Sequence, residues 1–272
     1  MYNSGPLQTA VLAARKAGDI IRRHRMQSAG APVKVQDKGR YDYVTEVDTQ
    51  CEQVIIETIR QAYPDHSILG EEGGHRESEQ KSNHCWIIDP LDGTSNFVHQ
   101  IPHFAISIAY QVDGKTQQAV VYEPISEELF TASKGRGAFL NNRRIRVSPR
   151  IQLDGALLAT GFPFRKRRHL PAQIAMLGSF FEHIEDIRRT GSAALDLAYV
   201  ASGRVDAFWE IGLKPWDVAA GALLVREAGG VVVDFAGGDE FEDSGNILAA
   251  PFKLIAPMLK VIQSHNGPGL RK

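Results

Sequence analysis

The chain has 272 residues, with 31 Lys and Arg against 32 Asp and Glu, which gives a formal net charge of −1. This near-neutral balance argues against a protein that coats nucleic acid, so we expect no direct DNA binding. The content of 43% hydrophobic and 23% charged residues is typical of globular proteins and argues against a disordered or fibrous chain.

The cysteine content and the N-terminal segment bear on the cellular compartment. Cys51 and Cys85 are too few for a disulfide framework. In the N-terminal segment, apolar residues recur at steps of three and four among arginines, which predicts an amphipathic helix rather than a secretion signal. No run approaches the about 18 consecutive apolar residues of a membrane span. We therefore expect a cytoplasmic protein without a membrane partner.

The first half of the chain predicts helices packed on a largely antiparallel sheet. A second helix follows Thr45, where Thr45 and Asp48 resemble a capping box. The polar stretch 35–43 before it predicts a mobile loop or a short ribbon. Short apolar runs such as Trp86-Ile87-Ile88 then follow, and Asp113-Gly114 is a strong signal for a two-residue hairpin.

The second half alternates helical and strand patterns, which favours an α/β layer with crossover connections. The best seam between the halves lies near Ser148-Pro149. We expect subdomains 1–148 and 149–272, packed as one structural unit. Helices are predicted over Leu170 to Phe181, Ser192 to Ser202 and Val218 to Ala228, and strands over Val205 to Trp209 and Val231 to Val233.

Two aspartates close the apolar run that begins at Trp86. Asp89 and Asp92 would repel one another in a partly buried site, so either one of them is protonated or a cation lies between them. Hard cations such as Mg²⁺ prefer oxygen ligands, and the carbonyl of Leu91 lies between the two carboxylates. The alternative is that both aspartates only form turns, as Asp-Pro and Asp-Gly commonly do.

More acidic residues stand at the ends of other predicted elements. Glu71 and Glu72 follow the predicted strand at Ile68-Leu69, where a solvated acidic loop is the alternative. Asp217 stands where a helix begins, and Asp is a preferred residue at helix N-termini. The two roles of Asp217 are compatible, because one carboxylate oxygen can cap the helix while the other binds metal.

These acidic motifs carry a resemblance to a known family. The stretches Trp86 to His99 and Trp216 to Gly230 resemble the two signature motifs of the inositol monophosphatase family, and Gly70-Glu71-Glu72 resembles its third acidic motif. The similarity extends over essentially the whole chain in the expected order. Ala159 to Phe164 and Arg188 to Ala198 are closest to the bacterial SuhB type within the family.

The resemblance implies a layered αβαβα sandwich of the inositol monophosphatase and fructose bisphosphatase type. It also implies a lithium-sensitive hydrolysis of inositol 1-phosphate that uses two or three Mg²⁺ ions per site, carried out by a homodimer. By the same resemblance, the metal ligands would be Glu71, Asp89, the Leu91 carbonyl, Asp92 and Asp217.

The family motifs also imply catalytic and substrate-binding residues. Thr94, with Asp48 behind it, would orient and deprotonate the attacking water, and Glu71 would help to position it. The substrate-binding set implied is Leu91, Asp92, Gly93, Thr94, Arg188, Gly191, Ser192, Ala193, Glu210 and Asp217. The family often has a loop lysine ahead of Asp48, and Lys38 is the candidate, in uncertain register.

The sequence is also compatible with two other functions. One is a related phosphatase that acts on a sugar or nucleotide bisphosphate. The other is a regulatory protein, because SuhB-type proteins also act with Nus factors and RNA polymerase in ribosomal RNA transcription. The basic run Arg165 to His169 is either a solvated loop or a site for such a partner.

Overall fold

The computed structural model describes residues 5–27, 35–39, 42–76, 82–265, 267 and 270, of which 35–39, 42–44 and 76 are described by their backbone alone. The helices of this part of the chain are α1 (Pro6–Gln27), α2 (Glu46–Ala62), α3 (Thr94–Val98), α4 (Leu170–Phe181), α5 (Ala193–Ala201), α6 (Pro215–Glu227), α7 (Phe241–Ser244) and α8 (Phe252–Ser264). None of the helices described is both long enough and apolar enough to cross a membrane.

The strands fall into a ribbon and two sheets. They are β1 (Val35–Gly39), β2 (Asp42–Thr45), β3 (Ser67–Gly70), β4 (Gly74–Arg76), β5 (His84–Asp92), β6 (Ala105–Val112), β7 (Lys115–Glu123), β8 (Glu128–Ser133), β9 (Gly137–Leu140), β10 (Arg143–Arg144), β11 (Leu157–Thr160), β12 (Asp186–Arg188), β13 (Ala207–Ile211), β14 (Val231–Val233) and β15 (Asn246–Ala250). β1 and β2 pair as an antiparallel ribbon, one of the two alternatives predicted for this segment.

The larger sheet has eight strands in the order β10-β9-β8-β7-β6-β5-β3-β4. Its pairs are antiparallel except for β3 with β5, so the predicted antiparallel character is confirmed. The smaller sheet has five strands in the order β12-β11-β13-β15-β14, with β11 parallel to both of its neighbours. The chain therefore enters the second sheet through crossover connections, as the alternating pattern predicts.

Apolar clusters arrange these elements in five layers. Trp86 and Ile88 on one face of β5 pack with α1 and α2. Ile87 on the opposite face packs with α5 and α6, which also contact the five-stranded sheet through Phe208. The outer face of that sheet packs against α4 and α8 through residues such as Trp209. The order of layers is helix, sheet, helix, sheet, helix, so the predicted αβαβα class is confirmed.

Pro90 lies inside β5. Proline usually ends a ladder, but β5 continues to Asp92. Asp89 pairs with Ser107 and Asp92 pairs with Ala105, and the register shifts between the two pairs. Proline is tolerated at such an irregularity because its missing N–H is not needed for the ladder there.

Candidate active site

A cavity of about 110 Å³ opens where the end of β5 meets the first turns of α5 and α6. It is lined by residues of both halves of the chain. The lining residues are Glu71, Asp89, Leu91, Asp92, Gly93, Thr94, Ser95, Thr160, Gly161, Phe164, Arg165, Arg189, Gly191, Ser192, Ala193, Asp196, Glu210, Leu213 and Asp217.

Three aspartates converge in this cavity. Asp89 and Asp92 stand at the end of β5, and Asp217 stands in the first turn of α6. One carboxylate oxygen from each lies within 4.8 Å of the others. Oδ2 of Asp217 accepts a hydrogen bond of 2.7 Å from the backbone N–H of Lys214, which closes the start of the helix. Asp217 therefore caps the helix and lines the cavity at the same time, two roles predicted from the sequence to be compatible.

Burial and mutual repulsion dominate the electrostatics of the aspartate cluster. Asp89 is buried, and its burial, together with Glu71, Asp92 and Asp217, raises its pKa well above the usual range. Burial and the charge of Asp217 also raise the pKa of Asp92 to about 7. Such a set of oxygen donors fits a hard divalent cation, because a cation removes the repulsion that otherwise favours protonation.

Asp92 is also held from the second half of the chain. Its Oδ2 accepts hydrogen bonds from the Ser192 hydroxyl at 2.6 Å and from the Ala194 N–H at 2.8 Å. Ser192 is the N-cap of α5, where its hydroxyl also accepts a hydrogen bond from the Leu195 N–H. The start of α5 therefore fixes a carboxylate that belongs to the end of β5.

A second group of hydrogen-bonded residues lies behind the aspartate cluster. The Thr94 hydroxyl lies 3.1 Å from Oδ1 of Asp48 and 3.0 Å from the Leu91 carbonyl oxygen. Asp48 is buried, and its Oδ2 accepts a 2.9 Å hydrogen bond from the N–H of Thr45 in the predicted capping box, which is confirmed. Burial raises the pKa of Asp48 to about 6. The structure thus brings Thr94 and Asp48 together although 46 residues separate them.

The cavity lining also contains a buried glutamate, Glu210. Burial, followed by the charges of Asp196 and Asp217, raises the pKa of Glu210 well above its usual range. Gly161 lies so close to Glu210 that an added Cβ would be 2.2 Å from the carboxyl group. Gly191 has a φ of +93°, a conformation that glycine adopts readily. The predicted Gly191, Ser192, Ala193 and Glu210 therefore line one cavity, together with Gly93 and Thr94.

The structure does not bring Arg188 to the cavity. Arg188 lies on edge strand β12, where its exposed side chain contacts Asp186. Its neighbour Arg189 lines the cavity instead, since successive residues of an extended chain point in opposite directions. We therefore replace Arg188 by Arg189 as the candidate contact. Lys38 lies on β1, and its side chain falls outside the described part of the structure.

Asp196 and Arg165 also line the cavity but were not among the predicted site residues. Asp196 accepts a 2.7 Å hydrogen bond from the Thr190 hydroxyl. An acidic residue within the apolar run of α5 was the available signal for Asp196. Arg165 belongs to the basic run, which the sequence could not connect with the acidic motifs.

The chain is similar to known proteins over nearly its whole length. Residues 5–266 match the model of the inositol monophosphatase family. The Nus factor SuhB of Pseudomonas aeruginosa is 51% identical over 269 residues, which cover 98% of each chain.

Two solved structures extend the similarity to the fold. The extragenic suppressor protein SuhB of Bartonella henselae is 42% identical with a TM-score of 0.91, covering 96% of this chain and 99% of that one. The inositol monophosphatase of Anabaena (Nostoc) is 37% identical with a TM-score of 0.83, covering 95% of both chains. The chain belongs to the inositol monophosphatase family.

Proposed function

We propose that the chain is a magnesium-dependent phosphomonoesterase that hydrolyses inositol 1-phosphate. The observation that carries the proposal is the convergence of Asp89, Asp92 and Asp217 within 4.8 Å in a cavity beside Thr94. Six carboxylates and two guanidinium groups line that cavity. This excess of negative charge favours two or three divalent cations over a bare phosphate dianion.

The residues that would hold Mg²⁺ are Glu71, Asp89, Asp92, Asp217 and the Leu91 carbonyl. When bound, the ions would supply positive charge to the phosphate oxygens and lower the pKa of water. Hydrolysis of phosphate monoesters is very slow without a catalyst, so most of the acceleration must come from positioning and charge stabilisation. No covalent bond between the chain and phosphate is required.

Thr94 and Asp48 would handle the proton of the attacking water. The Thr94 hydroxyl accepts a hydrogen bond from water and donates its own hydrogen to Oδ1 of Asp48. A base works best when its pKa is close to the working pH, and burial places the pKa of Asp48 at about 6. Glu71 lines the same cavity and would help to hold the water.

The part of the cavity lined by Glu210 and Arg189 would bind the alcohol part of the substrate. Glu210 would accept hydrogen bonds from sugar-like hydroxyls, and Arg189 would replace Arg188 as a contact. The N–H groups of Gly93 and Thr94 would donate to phosphate, and Gly191, Ser192 and Ala193 would border the ring. A related enzyme acting on fructose bisphosphate or adenosine bisphosphate is the alternative within the same chemistry, and a substrate panel distinguishes them.

Phosphate release from inositol 1-phosphate, with and without Mg²⁺ and with added lithium, tests the proposal. We expect turnover that requires Mg²⁺ and is inhibited by lithium. Asp89→Asn removes a ligand charge while keeping the shape of the side chain, so we expect turnover to fall by at least about a hundredfold. Asp113→Asn makes the same change in the hairpin turn after β6 and should leave turnover unchanged.

Full turnover by Asp89→Asn would contradict the assignment of the metal site. No Mg²⁺-dependent turnover by folded wild-type protein on any phosphomonoester of the panel would contradict the proposed activity.

A second function is favoured by the relatives. Proteins about half identical over nearly the whole chain are named Nus factor SuhB. We infer that the chain also binds Nus factors and RNA polymerase, independently of hydrolysis. Capture of purified Nus factors and polymerase should be equal for wild-type protein and Asp89→Asn. Loss of capture by folded Asp89→Asn would contradict that independence.

We further propose that the chain works as a cytoplasmic homodimer. Both cysteines are free thiols, as expected for a reducing compartment. Light scattering of the purified protein measures the oligomeric state.

A further inference from the structure

Arg165 connects the basic run with the acidic cavity. It lies in the segment between β11 and α4, and within the described residues it is the one member of Arg165 to Arg168 that lines the candidate active-site cavity. Its guanidinium group lies 4.8 Å from the centre of the Phe164 ring, which also lines the cavity. The aromatic ring thus supports the guanidinium group at the cavity edge.

Glu71 is one cavity partner of this guanidinium group, whose charge also acts on Asp92. Nη2 of Arg165 lies 3.4 Å from Oε1 of Glu71, and the two side chains are 28% and 14% exposed. Glu71 follows β3 in the eight-stranded sheet, so the ion pair joins the two sides of the cavity. A long, partly exposed ion pair is weak, so it can exchange its partner at little cost.

Glu71 has a competing partner, since it is one of the carboxylates proposed to hold a divalent cation. A cation at Glu71 would repel the nearby guanidinium group and weaken the ion pair. The phosphate dianion would arrive in the same cavity and would offer Arg165 a new acceptor. A guanidinium fork matches phosphate geometry well and can form two parallel hydrogen bonds to it.

We propose that Arg165 is the counter-ion of Glu71 in the metal-free protein and binds the phosphate group of the substrate once a divalent cation occupies Glu71. The inference rests on the proposed function, and it makes Arg165 a substrate-binding residue. In this proposal, the Phe164 ring keeps the guanidinium group near the cavity while its partner changes from Glu71 to phosphate.

The two roles predict effects of opposite sign when the charge is removed. Arg165→Gln should bind Mg²⁺ more tightly in the absence of phosphate, by up to about fivefold, because a competing cation is lost. In the presence of saturating Mg²⁺, the same variant should bind inorganic phosphate at least about tenfold more weakly, because a charged hydrogen-bond donor is lost. Both affinities can be measured by isothermal titration calorimetry.

Arg167→Gln is the matched control, because it removes the same charge from the same basic run outside the candidate active-site cavity. It should change both affinities by less than about twofold. Arg165→Lys should keep the wild-type Mg²⁺ affinity and bind phosphate with intermediate strength, since it keeps the charge but loses the planar fork. Thermal melting without ligands verifies that each variant is folded.

The wild-type titrations separate this inference from the proposed function. Wild-type protein that binds no Mg²⁺ would overturn the metal site, and the inference with it. If wild-type protein binds Mg²⁺ and phosphate, equal affinities in folded Arg165→Gln would overturn the inference alone. A fall in both affinities would also overturn it, because it would indicate a structural role rather than an exchange of partners.

Discussion

Asp89 is a residue at which the folded chain bears a large electrostatic penalty. Its side chain is buried, and the charges of Glu71, Asp92 and Asp217 all oppose its ionisation. Its Oδ1 accepts one compensating hydrogen bond of 3.0 Å, from the N–H of Leu91. A sequence selected for stability alone would not keep four carboxylates here. The cluster therefore supports the proposed cation binding, which would turn the repulsion into affinity.

His66 is a partly buried titratable group with a different role, at the opposite end of β5. The buried indole of Trp86 donates a 3.0 Å hydrogen bond to Nδ1 of His66, so this nitrogen must be unprotonated. The His84 ring stacks on His66 with ring centres 4.5 Å apart. Burial and the proximity of His84 lower the pKa of His66. The fold thus favours neutral His66.

This arrangement predicts an acid-sensitive contribution to stability. Because the pKa of His66 is lower in the folded than in the unfolded chain, its contribution is complete above about pH 6.5 and is lost as the pH falls through the folded pKa. His66→Asn keeps an acceptor for Trp86 but cannot titrate, so its free energy of unfolding should fall less between pH 7 and pH 5. Urea unfolding followed by tryptophan fluorescence measures the difference.

His99→Asn serves as the control, because His99 is exposed and contacts only the Ser95 carbonyl among the hydrogen bonds described for its ring. It should follow the wild-type pH dependence. If the free energy of unfolding falls equally with pH in wild-type protein and His66→Asn, the hydrogen bond from Trp86 does not determine the pH dependence of stability.

At the level of elements, the close approach of α5 and α6 supports the site. Both helices lie between the two sheets, and their first turns supply Ser192 as N-cap and Asp217. Gly221 in α6 faces Leu197 in α5, and an added Cβ would lie 2.5 Å from the Leu197 Cβ. The two helices can therefore lie this close only because residue 221 has no side chain.

Gly221→Ala should consequently destabilise the protein although alanine favours helix. The added Cβ would lie only 2.5 Å from Leu197, which places the overpacking cost in the upper part of its usual range, at about 2–3 kcal/mol. The helix gain is about 1 kcal/mol, so we expect a net loss of about 1–2 kcal/mol. Gly178→Ala in α4 is the matched control, because nothing lies within 4 Å of its added Cβ. Its free energy of unfolding should rise by about 0.5–1 kcal/mol. Chemical denaturation measures the free energy of unfolding of both variants. A higher value than wild type in both of them would disprove the packing constraint.

Local sequence signals predicted most elements but set some boundaries wrongly. α4 has the predicted bounds, Leu170–Phe181, whereas α6 begins at Pro215 rather than Val218 because proline is well suited to the first turn of a helix. α8 was not predicted, and its internal Pro257 weakens the helical signal. β15 was also missed, because five residues of an apolar run carry little periodicity.

Some site residues could likewise be predicted from local sequence, whereas others could not. Asp89 and Asp92 belong to one short motif, so their proximity follows from the chain itself. Arg165 and Arg189 reach the cavity only through the packing of the second half on the first, which no local pattern encodes. The resemblance to the family suggested Arg188, but the direction of an extended segment selected its neighbour.

For the whole molecule, the central question is whether the seam near residue 148 separates independent folding units. The cluster between the two sheets mixes both halves: Ile87, Val121 and Phe130 from the first pack in it with Leu197 and Leu224 from the second. The first half therefore has no core of its own on that face of its eight-stranded sheet. Asp92 and Ser192 add a hydrogen bond across the same boundary.

Fragments 1–148 and 149–272 should each fail to fold cooperatively when produced alone, whereas the full chain should unfold in a single transition. In fragment 1–148, the loss of α5 and α6 would expose one whole face of the eight-stranded sheet to water, at a cost of about 25 cal/mol for each Å² of apolar surface. Circular dichroism and calorimetry of the three chains test this. A sharp unfolding transition in either isolated fragment would instead identify a true domain, and the cavity would then lie at a domain interface able to open and close as a hinge.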